Sequence, residues 1–179
     1  MRNLKAILTG GVLGLCFVGL GFAAMTAAQT VNMQVNSICV LAVTGNPAAL
    51  TVSAPAAGGQ TPANPSSNTT YAQYTSTVAG VTTRKLTVAW GASDAAPTGC
   101  SLKLQATPSG GLNQGSSAGQ ITLSSTAQDL ITAIKSCATG NAATNGAQLT
   151  YTLSVNTVTS LVASESKTAT VTLTLTDAA

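Results

Sequence analysis

The side chains of this chain leave little room for catalysis or metal binding, because it contains no histidine and only four acidic residues. Histidine is the commonest general base and the commonest metal ligand, so both roles would fall to other groups. A structural zinc site needs four nitrogen, sulfur or oxygen ligands, and the four cysteines include no Cys-x-x-Cys pair. The sequence also shows no acid-rich calcium loop and no phosphate-binding glycine loop with its lysine. We therefore predict no metal, no cofactor and no enzymatic activity.

Two groups of residues resemble fragments of catalytic sites. Asp129 and Glu165 are the acids best placed to act as the carboxylate pair of a glycosidase, although a surface role for both is the favoured interpretation. Ser164 and Lys167 match the Ser-x-x-Lys spacing of penicillin-recognising enzymes, whose chemistry requires the start of a helix. These two residues lie between predicted strands instead, so we interpret them as part of a polar turn.

The aromatic residues offer a candidate ligand contact. Trp90 is the candidate for carbohydrate binding, with a place in the core as its alternative role. Tyr71 and Tyr74 are three positions apart, so on a strand they point to opposite faces and do not form one platform. Asn68-Thr69-Thr70 is a glycosylation sequence in a predicted loop, relevant only in a eukaryotic host.

The first 28 residues have the order of a secretory signal peptide. A basic head with Arg2 and Lys5 precedes an apolar run, and small residues up to Ala28 form the cleavage site. We therefore predict a signal peptide over residues 1–28, a single domain over residues 29–179, and a secreted or cell-surface location with the periplasm in transit. We expect no transmembrane span after cleavage; retention of the apolar run as a membrane anchor is the alternative.

Export also bears on the cysteines. Cys39, Cys100 and Cys137 remain after cleavage, and an oxidising compartment favours one disulfide and one spare thiol. Cys100 and Cys137 border turn-like sequence, whereas Cys39 lies in an apolar run. We predict a Cys100–Cys137 disulfide with Cys39 reduced and buried; a Cys39–Cys100 bridge is the alternative.

The predicted domain has almost no charge. Five basic and four acidic side chains leave it a net charge of +1, so the basic character of the whole chain gives no reason to expect nucleic acid as a partner. Net charge near zero favours self-association. We expect partners to be copies of the chain or other surface proteins, or else a glycan or the cell wall.

Alternating apolar and polar residues predict strands along most of this domain. The clearest alternation is Val171, Leu173 and Leu175 with threonines between them. Residues 54–70 and 108–119 are predicted loops, and residues 127–134 fit either a strand or a helical turn. About eight short strands without crossover helices predict an all-β, immunoglobulin-like antiparallel β-sandwich.

This layout resembles secreted bacterial surface and fibre proteins with immunoglobulin-like sandwiches. Chaperone–usher pilins and spore-coat-protein-U-like domains share the signal peptide, an early cysteine strand such as Ser37-Ile38-Cys39-Val40, and a terminal strand. The tail, residues 172–177, also resembles that of WxL cell-wall-binding domains, although Leu173 stands where that family has tryptophan. The resemblance implies a structural or adhesive component, most concretely a pilin-like fimbrial subunit. The alternative is a monomeric carbohydrate- or cell-wall-binding module.

The segment from Gln29 to Asn36 is the candidate donor strand. Val31, Met33 and Val35 alternate with polar residues, and Asn36-Ser37 interrupts the pattern before Ile38. Such a strand has two options: it pairs within its own sandwich as the first strand, or it adds to the exposed edge of the next subunit.

Overall fold

The computed structural model describes residues 26–178. The chain divides into two units, residues 1–34 and 35–179; of the first, residues 26–34 are described, and they form neither helix nor strand. The first 25 residues of the predicted signal peptide lie outside the described part. Within the described part, no helix is long and apolar enough to cross a membrane.

The described part of the second unit, residues 35–178, is all-β, with ten strands and one short 3₁₀ turn, Val158–Ser160. The strands form two antiparallel sheets, as the sequence predicts for a β-sandwich. The first sheet has the order β1-β2-β9-β4-β6, with β8 also pairing with β2, and the second has the order β10-β3-β7-β5. The strands are β1 (Ile38–Thr44), β2 (Ser66–Thr77), β3 (Arg84–Trp90), β4 (Cys100–Thr107), β5 (Ser116–Ser117), β6 (Gln120–Thr122), β7 (Gln128–Ile134), β8 (Cys137–Ala138), β9 (Ala147–Val155) and β10 (Val171–Asp177).

Most strands follow the alternation seen in the sequence. In β9 the side chains of Leu149, Tyr151 and Leu153 are buried, while the residues between them are partly exposed. The sequence missed β5 and β8, each two residues long, and β2 begins at Ser66, inside the predicted loop. The described region therefore has more strands than the predicted eight, because very short strands leave no detectable period.

The ambiguous segment, residues 127–134, contains the strand β7 (Gln128–Ile134). Its pairing with β3 is irregular on both sides of Leu86, and Ala133 has a left-handed φ of 58°. These irregularities turn both Leu130 and Ile131 toward the core, together with Ile134. A bulged strand loses its strict period of two, which explains why the sequence pattern resembled a helical turn.

The core lies between the two sheets and is made of inward-facing aliphatic side chains. Both sheets contribute, so that each sheet buries one face against the other. Its most completely buried large members are Leu86, Leu104, Leu130, Ile131, Ile134 and Leu149.

The cysteines differ from the sequence prediction: Cys39, Cys100 and Cys137 are all free thiols, and Cys39 is exposed rather than buried. Cys100 pairs with Val155 at the end of β9, and this end of β9 lies beside the start of β2. Cys137 instead pairs with Ser76, near the end of β2. The strand length between these positions is about 30 Å. A disulfide requires Cα atoms within about 7 Å, so this fold keeps Cys100 and Cys137 apart.

The register instead places Cys39 and Cys137 on either side of Ser76. Two strand spacings separate them, about 10 Å, which also exceeds the reach of a disulfide.

Candidate functional site: an open seam and an apolar cavity

The two lateral sides of the sandwich differ in the length of their edge strands. On one side the sheets end in β1 and β10, each seven residues long. On the other side they end in β5 and β6, with two and three residues. Very short edge strands offer little backbone to an added chain, whereas long ones offer a row of unpaired N–H and C=O groups.

We call the boundary between β1 and β10 the seam. Its apolar side chains are exposed on both faces of β1: Ile38 is 40% and Val40 58% exposed on the outer face, and Val43 is 44% exposed on the inner face. Leu41 and Val43 pair with the buried residues Tyr74 and Ala72, so β1 presents one apolar row to the interior. From β10, the inward residues Val171, Leu173 and Leu175 are only partly buried. The seam therefore exposes the flank of the core.

Arg84 closes one end of the seam. Its side chain is buried, and Nε donates to the carboxylate of Asp177 in β10 at 2.9 Å. Nη1 donates to the carbonyl oxygen of Ile38 and to the hydroxyl of Ser76, and Nη2 donates to Ser37 Oγ at 2.8 Å. One guanidinium thus joins β1, β2 and β10, with five donors arranged for such a role. Nearby, the Sγ of Cys39 donates to the carbonyl oxygen of Leu175 at 3.5 Å.

A cavity of about 920 Å³ lies at the other end of the sandwich. Residues 47–54, which follow β1, form one wall, and residues 161–169, which precede β10, form another. Its inner wall consists of side chains from strands of both sheets. These are Trp90, Cys100, Leu102, Tyr151, Leu153 and Val171.

Burial sets the protonation of the cavity's two weak acids. It raises the pKa of the Tyr151 hydroxyl, and it raises the pKa of the Cys100 thiol with a smaller contribution from the carboxylate of Glu165. Both groups have ordinary pKa values above 7 and the shifts are upward, so both are neutral near pH 7 and the inner wall carries no charge.

Two carboxylates fix the rim of the cavity. Glu165 accepts hydrogen bonds from the backbone N–H of Thr98 at 2.8 Å and from its hydroxyl at 3.4 Å, and it forms an ion pair with Lys167. The bond from the backbone N–H of Thr98 is the main reason why the pKa of Glu165 is lowered. Asp94 accepts from the backbone N–H groups of Gly91 and Thr170. The loop over residues 161–170 is thereby held at two points.

The structure places the predicted site residues in different parts of the molecule. Trp90 packs against the core and also lines the cavity. Tyr71 and Tyr74 point to opposite faces of β2, as predicted, and Tyr74 is buried with its hydroxyl donating to the carbonyl oxygen of Gln114. Val31, Met33 and Val35 are 68%, 88% and 85% exposed and belong to no strand.

The remaining candidates have structural partners or positions. Asp129 pairs with Lys85 at 3.0 Å, far along the chain from the rim residue Glu165. Ser164 and Lys167 lie in the turn region between β9 and β10. The glycosylation sequence at Asn68 is in the irregular part of β2, not in a loop, and Asn68 is exposed. Within residues 26–178, no three acidic or cysteine side chains cluster as metal ligands would.

Sequence reasoning missed Arg84 and Tyr151. Arg84 carried a signal, because it occupies the inward register of β3 together with Leu86 and Val88. A charged residue in an apolar row is buried only when it is paired. Tyr151 also sits in an inward row, but nothing in the sequence distinguishes a tyrosine beside a cavity from one in a sealed core.

Comparisons of the chain with protein-family models, with curated proteins and with solved structures found no match.

Proposed function

We propose that this protein is a secreted structural or adhesive component of a cell surface or extracellular fibre, a pilin-like subunit with an immunoglobulin-like sandwich. The observation that carries the proposal is the seam, where two seven-residue edge strands leave apolar side chains partly exposed. A long apolar edge without charged residues invites pairing with another chain. The strand β1 contains neither a charged residue nor a proline.

The donor in this proposal is the segment from Gln29 to Asn36 of a second copy. Its three alternating apolar side chains are exposed and belong to no strand. A strand with this pattern adds to a sheet edge through main-chain hydrogen bonds, and its apolar side chains cover the exposed flank of the core. The low charge of the predicted domain supports close packing of copies.

The test is the assembly state of the purified chain comprising residues 29–179. Sizing and negative-stain microscopy are expected to show ladders of oligomers or filaments. A monomer at all accessible concentrations would contradict the proposal.

A monomeric carbohydrate- or cell-wall-binding module is the second candidate, because Trp90 lines an open cavity. An aromatic face at such a site suits stacking on a sugar ring. A chain that stays monomeric and binds a glycan array would favour this candidate over the first.

A further inference from the structure

We propose that the cavity at the Trp90 end of the sandwich binds an uncharged, mainly apolar small molecule that carries one hydrogen-bond acceptor, held by the hydroxyl of Tyr151. This activity is separate from self-association and does not depend on it.

The size and lining of the cavity suit such a ligand. Small-molecule sites occupy about 300–1,000 Å³ and are lined mostly by apolar side chains with a few polar groups. This cavity has a volume of about 920 Å³, and Trp90, Leu102 and Leu153 lie in its wall. Protein interiors are otherwise close-packed, so a space of this size leaves the apolar side chains of its inner wall for a ligand to cover.

The charges around the cavity exclude an ionised ligand. Glu165 and Lys167 are the charged residues in its lining, and their side chains pair with each other at 3.4 Å. The carboxylate of Glu165 also accepts two hydrogen bonds from Thr98. Neither charge is left to balance a charge on the ligand, and desolvating an unpaired charge against the apolar wall is costly.

Tyr151 provides the polar anchor. It is only 6% exposed, yet its hydroxyl has no hydrogen-bond partner among the described residues. Among the described residues, the polar side-chain atom that is fully shielded from solvent without a partner is Thr70 Oγ1. The unpartnered hydroxyl of Tyr151 is therefore not fully shielded. Because Tyr151 lines this cavity, its hydroxyl reaches the open space there. Tyr74, the inward tyrosine on the neighbouring strand, donates to the carbonyl oxygen of Gln114 at 2.5 Å. Buried tyrosine hydroxyls usually find such a partner.

One tyrosine hydroxyl in the mainly apolar inner wall matches a ligand that carries one polar group on its buried side. A sugar presents hydroxyls on several sides, and those that face the inner wall would lose their water against Leu102, Leu153 and Val171 without a replacement. A tyrosine hydroxyl is protonated at neutral pH, and burial raises the pKa of Tyr151 further, so the hydroxyl donates to an acceptor such as a carbonyl oxygen.

The test uses prodan, an uncharged naphthalene dye with one ketone, and the chain comprising residues 29–179. Trp90 is the single tryptophan of the sequence, so energy transfer from tryptophan to prodan reports binding near the cavity. We expect saturation at one dye per chain. In Tyr151→Phe, affinity is expected to fall about three- to tenfold, the effect of one lost hydrogen bond. The emission of the bound dye is also expected to shift to the blue, because its ketone loses a donor.

Two matched variants complete the design. Tyr71→Phe removes the same atom from an outward tyrosine and is expected to leave binding unchanged, whereas Ala169→Phe fills the cavity and is expected to abolish the transfer. Circular dichroism verifies that each variant is folded. The proposal is overturned if wild type shows no saturable transfer, if folded Tyr151→Phe retains the wild-type affinity and emission, or if a peptide of residues 29–36 displaces the dye from the cavity.

Discussion

The two lateral sides of this sandwich differ in how much unpaired edge-strand backbone they expose. On the β5/β6 side the sheets end in strands of two and three residues, so little backbone is available for pairing. On the β1/β10 side both edge strands have seven residues, and apolar side chains are partly exposed along them. Natural sheets usually protect long edges with charges, prolines or bulges. The strand β1 has neither a charged residue nor a proline, so under the proposed function it is the edge that a second copy covers.

The seam also differs along its own length. Arg84 binds β1 and β10 together at one end, whereas the other end passes into the walls of the cavity. The hydrogen bonds of Arg84 hold the two long edge strands in place at one end, where no further strand lies between them.

The largest effect on stability is expected from removing the hydrogen bonds of Arg84. Arg84→Met leaves the hydroxyl of Ser76 and the carbonyl oxygen of Ile38 without their charged donor, and the free energy of unfolding is expected to fall by about 2–4 kcal/mol. Lys85→Met is the matched control, because Lys85 follows Arg84 directly and forms a partly exposed ion pair with Asp129. We expect the control to cost less than about 1 kcal/mol. Equal urea midpoints for the two variants would show that Arg84 does not hold the seam.

A smaller effect is expected from a charge placed on the long edge. Val40→Lys introduces a solvated cation into the exposed face of β1, so the concentration required for half-assembly is expected to rise about tenfold, equivalent to about 1.4 kcal/mol. Thr122→Lys places the same charge on the short edge strand β6 and is expected to leave assembly unchanged. Sizing across a concentration series separates the two. If both variants assemble like wild type, the long edge is not the contact surface.

The smallest effect concerns the rim of the cavity and depends on pH. The pKa of Glu165 is lowered below its ordinary value of 4.5, so its hydrogen bonds to Thr98 stabilise the folded loop above that value and are lost as the pH falls through the lowered pKa. Once each rate is divided by the intrinsic exchange rate at the same pH, the protection of the amides of residues 161–169 is expected to fall modestly in acid, below pH 4.5, relative to neutral pH. Glu165→Gln should show the lower protection at both pH values. A variant that retains the acid-dependent change would assign the effect to another group.

The sequence predicted the all-β class and most long strands, because alternation records which face of a strand is buried. It did not predict β5 and β8, which are too short to show a period, or the type of β7, where bulges turn both Leu130 and Ile131 inward. The Cys100–Cys137 pairing differed because turn-like sequence marks the ends of strands but not which end of the sandwich each strand occupies.

The candidate site was less predictable than the fold. The strand β1 is exposed because it is the edge strand of its sheet. The order of strands in a sheet depends on pairing between distant parts of the chain, which a local sequence pattern does not reveal. The cavity arises where segments far apart in the chain, residues 47–54 and 161–169, stand over the same inner wall. Trp90 was identified as a contact from its residue type alone, whereas Tyr151 became a candidate only once its unpartnered hydroxyl was visible.

The central proposal is that the apolar row of Val31, Met33 and Val35 serves a second copy and not its own sandwich. Deleting residues 29–35 tests it most directly, with the triple substitution of Val31, Met33 and Val35 by serine as the variant of unchanged length. The account predicts that both proteins keep the wild-type circular dichroism and urea midpoint yet remain monomeric where the chain of residues 29–179 assembles. Truncated protein that unfolds as a monomer, or that still assembles, would contradict it.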